Sequence, residues 1–186
     1  MAYQSKIKLF RYASLVCLVA IIILILTTEI INIQKDRVIL NYVNWITENS
    51  ILEYNGEEFP EIVKIPKSEM AILYYGLDPN PDNHSELEKE VVEDSKVAAL
   101  YNNQINTLYF QPDFSVRDWE TTHILVHELV HFLQKTSGMY DGDPCIPKLE
   151  AMAYVIQAIW QLEHDHPARL PSRILILSLQ ATNCSR

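Results

Sequence analysis

The sequence predicts an α+β protein: a small sheet with a buried helix packed on it, mostly helical segments behind, and one transmembrane helix in front. Three observations lead there. The run from Ala13 to Thr28 is uncharged and largely apolar on every side. Between Phe59 and Phe110, short β-branched or aromatic stretches are punctuated by Pro, Gly and Asn. From Ile124 to Leu133 the chain is apolar apart from two histidines and one glutamate.

The first element is the apolar run. About 20 such residues cross the hydrocarbon core of a bilayer. Lys6, Lys8 and Arg11 precede it, and the positive-inside bias leaves residues 1–11 as a basic cytoplasmic segment. Residues 12–34 are the expected transmembrane anchor, and residues 35–186 the domain beyond it. Thr27-Thr28-Glu29 is a poor signal-peptidase site, and Val16 before Cys17 is unsuited to lipoprotein processing. The anchor is therefore expected to stay attached, with the domain extracytoplasmic, in a periplasm or at a cell surface.

Beyond the anchor, Val38, Ile39, Tyr42, Val43 and Ile46 recur at helical spacing and predict an amphipathic helix over 37–55. Phe59 to Lys67, with EIVKI at its centre, reads as a strand. Ser68 is a candidate cap for a helix ending at Tyr75 before Gly76. Residues 77–96 are polar and acidic, a surface loop with one short solvated helix. Val97–Tyr101 and Ile105–Phe110 predict a hairpin turning at Asn102-Asn103. Ser115 and Asp118 signal the start of a helix that stops before Gly138. Pro147 opens the next helix, running to about His164, and Ser172 caps a short last one.

Composition removes several functions. The chain has 4 glycines, none spaced for a phosphate-cradling turn. The net charge is -9, with no basic patch, which argues against nucleic acid as a partner. No G-x-S-x-G marks a serine hydrolase, and no Cys/His spacing marks a cysteine nucleophile.

The chemistry lies in His127-Glu128-Leu129-Val130-His131. Residues four apart on a helix share a face, so both imidazoles reach one point. Two neutral imidazole nitrogens at about 2.0–2.1 Å suit Zn²⁺. Glu128 stands beside the first ligand, where its carboxylate can accept a proton from activated water. A buried helix keeps His-Glu-His only with partners for them. His123, one turn earlier, lies roughly 12 Å from His131 on a straight helix and cannot join the same ion. Gln134 and Ser137 stand where another spacing would want ligands. The best third ligand is Glu150, among apolar neighbours at the opening of the next helix. Asp141, Asp143, His164 and His166 are the fallback ligands.

The stretch ILVHELVHFL resembles the extended motif of the zincin metallopeptidases, and Glu150-x-x-Ala153 resembles the second helix of their gluzincin branch. The resemblance spans about residues 97–164, and extends to small membrane-anchored bacterial proteins with a zincin-like domain. It implies a His127, His131, Glu150 zinc site and a peptidase activity on peptide or protein substrates. Many gluzincins carry an Asp four residues after the Glu ligand to orient the first histidine. Here that position is Tyr154. The resemblance also implies that residues 105–110 form an antiparallel edge strand that binds the substrate backbone.

The expected function is a membrane-anchored zinc-dependent hydrolase, a metallopeptidase with Glu128 as general base. The alternative is a non-catalytic, zinc-containing binding or scaffold module on the same anchor. A second oxyanion donor is expected among Tyr101, Tyr140, Tyr154, His164 and His166. In an oxidising compartment Cys145 and Cys184 would form a bridge tying the last helix down. Oligomeric state is not legible.

Overall fold

The computed structural model describes residues 2–116, 118–164, 173–181 and Cys184. It divides into two compact units, Met1–Val38 and Ile39–Arg186. The long helix α1 (Ala2–Glu48) runs through both. Nothing between Thr27 and Arg37 breaks a helix: the segment has neither Gly nor Pro. The Thr27 and Thr28 hydroxyls donate to the carbonyls of Leu24 and Ile25, so they are satisfied inside the helix. Anchor and amphipathic segment are thus one element, not two. It also stops at Glu48, short of the expected residue 55, where Asn49 turns its side-chain amide onto the Trp45 carbonyl.

In the first unit, the large apolar side chains from Val16 to Leu26, with Ile30, are 46–67% exposed. This helix is long and apolar enough to cross a membrane.

The second unit is α+β, with a small mixed sheet of three strands. After the end of α1 come β1 (Glu61–Lys64), α2 (Lys67–Tyr75), a single 3₁₀ turn at Pro81–Asn83 and α3 (Glu86–Glu93). Then follow β2 (Ala99–Asn102), β3 (Thr107–Phe110), α4 (Trp119–Thr136), α5 (Ile146–Glu163) and α6 (Arg173–Ala181). Ser68 lies inside α2, whose N-cap is Pro66, so it is not the expected cap. The cap of this polar region is Ser85, which forms a reciprocal capping box with Glu88 on α3. The hairpin turn also differs from expectation. The left-handed residue is Asn106, at φ 50°, and the turn occupies residues 103–106 rather than Asn102-Asn103. Ser172 lies outside the described residues.

The strand order is β1-β3-β2, with β3 parallel to β1 and antiparallel to β2. The sequence expectation that residues 105–110 form the edge is therefore wrong. β3 is central, and Leu108 and Phe110 are fully buried. The antiparallel edge strand is β2. The error is physical: a hairpin leaves both strands as possible edges until a third, here β1 from far upstream, covers one of them.

α4 packs on β2 and against α5. Leu125, Leu129, Phe132 and Leu133 on α4 are fully buried with Ile39, Val43 and Ile46 of α1 and Ala153 of α5. Gly138, at φ 74°, ends α4 in the left-handed conformation, and a Cβ there would come within 3.1 Å of Asp141 Oδ2. A disulfide joins Cys145, the N-cap of α5, to Cys184 beyond α6.

Candidate metal centre

α4 presents His127 and His131 one turn apart, and their Nε2 atoms face each other at 3.2 Å. α5 brings Glu150 to the same point. Its Oε2 is 3.6 Å from His127 Nε2 and its Oε1 3.5 Å from His131 Nε2. Among the described residues this is the one group of three such side chains gathered as if for an ion, all ligand atoms lying within 4.8 Å of one another. Glu150 remains 33% exposed, so the group opens to solvent on its carboxylate side.

Each histidine is held from behind. His127 Nδ1 is 3.0 Å from Gln157 Oε1, and His131 Nδ1 is 2.9 Å from Gln134 Oε1. The Tyr154 ring lies against the His127 ring with centroids 4.5 Å apart. The group that orients the first histidine is therefore Gln157, not the residue at 154. Gln157 is seven positions after Glu150, two helical turns along the same face of α5. That spacing was the available signal. Gln134, fully buried, was legible only as occupying a position where another spacing would want a ligand.

Glu128 is buried, and its Oε2 accepts a hydrogen bond from the backbone N–H of Tyr101 at 2.8 Å. Tyr101 is on β2, so the edge strand fixes this carboxylate directly. A cleft of about 500 Å³ runs along β2 and past the three clustered side chains, with Tyr74 and Tyr75 on its far wall.

The other candidates separate clearly. Asp141 and Asp143 are exposed on the α4–α5 loop and outside the cluster. His164 bonds the Trp160 carbonyl through Nδ1 at 2.8 Å and stacks on the Trp160 ring. His166 lies outside the described residues. His123 lines the cleft without joining the cluster. The Tyr101 hydroxyl donates to Asn106 Oδ1 at 3.0 Å. Tyr140 places its hydroxyl 3.3 Å from His131 Nδ1.

Electrostatics follow from burial and the clustered carboxylates. Burial alone would lower the His127 pKa. The Glu150 hydrogen bond, the charges of Glu128 and Glu150, and Gln157 outweigh it and raise the pKa above the usual 6.5. Burial pushes the Tyr101 hydroxyl up to about 12, helped by the Glu57 charge. Burial, then the charges of Glu150, Glu128 and Tyr101, raises Tyr140 as well.

These features define an α+β protein with a two-histidine, one-glutamate cluster in an open cleft. Residues 34–186 match the family described as a domain of unknown function, DUF6647, and the chain belongs to that family. No curated protein and no solved structure matches it.

Proposed function

We propose that the protein is a membrane-anchored, zinc-dependent hydrolase of zincin type that cleaves peptide bonds. One observation supports this most. Gln134 Nε2 donates to the Leu149 carbonyl at 2.9 Å, which turns its Oε1 toward His131. His131 Nδ1 must then be the donor, and its Nε2 carries a lone pair. That lone pair faces His127 Nε2 at 3.2 Å, beside the Glu150 carboxylate. A cation between these nitrogens and the carboxylate would satisfy acceptors so arranged, as a proton on His127 does in its absence.

The donor set fits zinc. Ligands at about 2.0–2.1 Å in a tetrahedron stand roughly 3.3 Å from one another. The separations here are 3.2, 3.5 and 3.6 Å. Two imidazoles and a carboxylate, with one side open, suit a catalytic rather than a structural ion. Bound there, Zn²⁺ supplies a Lewis acid and an acidified water.

The rest belongs to the chain. With the ion bound, Glu128 would accept the proton of the attacking water as its oxygen adds to the scissile carbonyl, and would pass that proton to the amine as the C–N bond breaks. The Tyr101 N–H holds one carboxylate oxygen, leaving the other for this exchange. β2, the free antiparallel edge, offers backbone groups to an extended peptide lying in the cleft. Because the Tyr101 N–H is taken by Glu128, and Val97 gives its N–H to Ser95 and its carbonyl to Gln111, that pairing lies at Ala99. The exposed apolar helix anchors the domain in a membrane. The Cys145–Cys184 disulfide suits an oxidising compartment, so the domain faces away from the cytoplasm.

The test is turnover by the detergent-solubilised full chain on a diverse peptide library, with and without chelator. Chelator-sensitive cleavage abolished by Glu128→Gln supports the reading. A chain that holds zinc and cleaves nothing is instead the binding module.

A further inference from the structure

The backs of the two histidines carry an inference of their own, which rests on the metal reading. Among the described residues both are oriented by amides, with the Tyr140 hydroxyl also near His131 Nδ1, and neither by a carboxylate or a backbone carbonyl. We infer that Gln134 and Gln157 are the positioning residues of the centre. They hold both imidazoles in the Nδ1–H tautomer, and Gln134 also braces the third ligand.

The brace is visible in the bonds of Gln134. Its Oε1 accepts from His131 Nδ1–H at 2.9 Å, while its Nε2 donates to the Leu149 carbonyl at 2.9 Å. Leu149 directly precedes Glu150. One fully buried side chain on α4 thus fixes the second ligand and the backbone that carries the third. The Tyr140 oxygen, 3.3 Å from the same Nδ1, takes a second branch of that bond. Gln157 does the same for His127 at 3.0 Å, from the turn of α5 beyond Tyr154.

The choice of amide has a chemical consequence. A carboxylate behind an imidazole raises its basicity and adds a negative charge near the metal. An amide fixes the same tautomer without that charge. The centre then holds its ion less tightly and leaves it a stronger Lewis acid. Adding a carboxylate behind His127 should tighten binding, and deleting the amide should weaken it.

Three measurements on the full chain in detergent test this. The first is Zn²⁺ affinity by competition with a chromophoric chelator. Gln157→Leu should bind zinc 10–100-fold more weakly, the loss typical of removing such a partner. Gln157→Glu should bind at least as tightly as the parent. The second is the absorption of the Co²⁺-loaded chain, which reads ligand geometry. Gln134→Leu should distort it strongly. Gln134→Glu, which still accepts from His131 but cannot donate to Leu149, should distort it less. The third is ¹⁵N NMR of the metal-free chain at alkaline pH. Both histidines should be Nδ1–H tautomers in the parent, and His127 should become mixed in Gln157→Leu. That readout needs no metal, so it stands even where the parent binds no zinc, an outcome that sinks the metal reading alone. Should Gln134→Leu not fold, the half-buried Gln157 pair carries the test. Parental zinc affinity with unchanged tautomers in Gln157→Leu overturns the inference.

Discussion

Two largely apolar helical stretches of this chain have opposite surroundings. From Val16 to Leu26, large aliphatic side chains stand exposed all round α1. From Leu125 to Leu133, the side chains of α4 are buried, and His127, Glu128 and His131 are buried with them. Hydropathy separates them only in degree, α1 alone among the described helices being long and apolar enough to cross a membrane. The difference is what each stretch can hydrogen-bond. The α1 stretch carries no charged side chain, and the hydroxyls of Thr27 and Thr28 just after it donate to its own Leu24 and Ile25 carbonyls. It needs nothing from the protein and suits a lipid solvent. The α4 stretch carries three ionisable groups, and each has a partner from another element: Gln157 and Glu150 from α5, Tyr101 from β2. Burial of polar groups is bearable only with such partners. The α4 stretch, which keeps them, carries the candidate site, whereas the α1 stretch, which has none, is long and apolar enough to cross a membrane.

The comparison can be broken at either helix. The largest effect is expected at Glu128. Glu128→Gln keeps shape and metal content but removes the basic carboxylate, and peptide hydrolysis should fall by at least roughly 10²–10⁴-fold. Steady-state assays against elemental analysis of the same sample check this. Equal activity in the variant would show that the proton goes elsewhere.

Next is the core beneath the site. Phe132 is fully buried, and its ring meets those of Tyr54, Phe59 and Tyr101. Phe132→Ala should destabilise the domain by about 3–5 kcal/mol, measured by denaturant unfolding. On α1 the same logic has another solvent. Ile23→Arg should cost about 2.5–3.5 kcal/mol of membrane insertion while leaving domain unfolding unchanged. Fractionation checks the first half. An unaltered membrane fraction for a helix carrying several such charges would contradict the anchor.

The smallest effect concerns pH. His127 in the metal-free fold has a raised pKa, so it holds a proton at pH values where free imidazole has lost it. Protonation of His127 therefore stabilises the metal-free fold fully below 6.5, and that contribution fades as pH rises through the raised value. Zinc needs the neutral ring, so binding near neutral pH should release protons, and affinity should climb with pH. Calorimetry in buffers of different ionisation enthalpy counts them. No release at neutral pH would place the His127 pKa at or below its usual value.

Much of this was legible in the sequence, for identifiable reasons. The three clustered side chains follow from helical spacing and from the rarity of a Glu among apolar neighbours. The Cys145–Cys184 pair followed from compartment logic. What failed was long-range. The place of β3 inside the sheet depends on β1, some 45 residues upstream, which no local pattern reports. The partners behind the histidines depend on how α4 and α5 face each other, so the only local signal for Gln157 was its spacing from Glu150, and Gln134 had none that marked it as a histidine's partner. The Glu128–Tyr101 bond likewise joins elements 27 residues apart. The turn residue Asn106 was missed because several asparagines competed for one left-handed position.

The central claim is that the facing nitrogens of His127 and His131, with Glu150, hold a zinc ion. Elemental analysis of the full chain, purified in detergent without chelator, tests it most directly beside His131→Ala and Glu150→Ala. One zinc per chain is expected in the parent and little or none in either variant, with the fold intact by circular dichroism. A parent without metal that fails to take up added Zn²⁺, or a Glu150→Ala variant that retains it in full, would contradict the account.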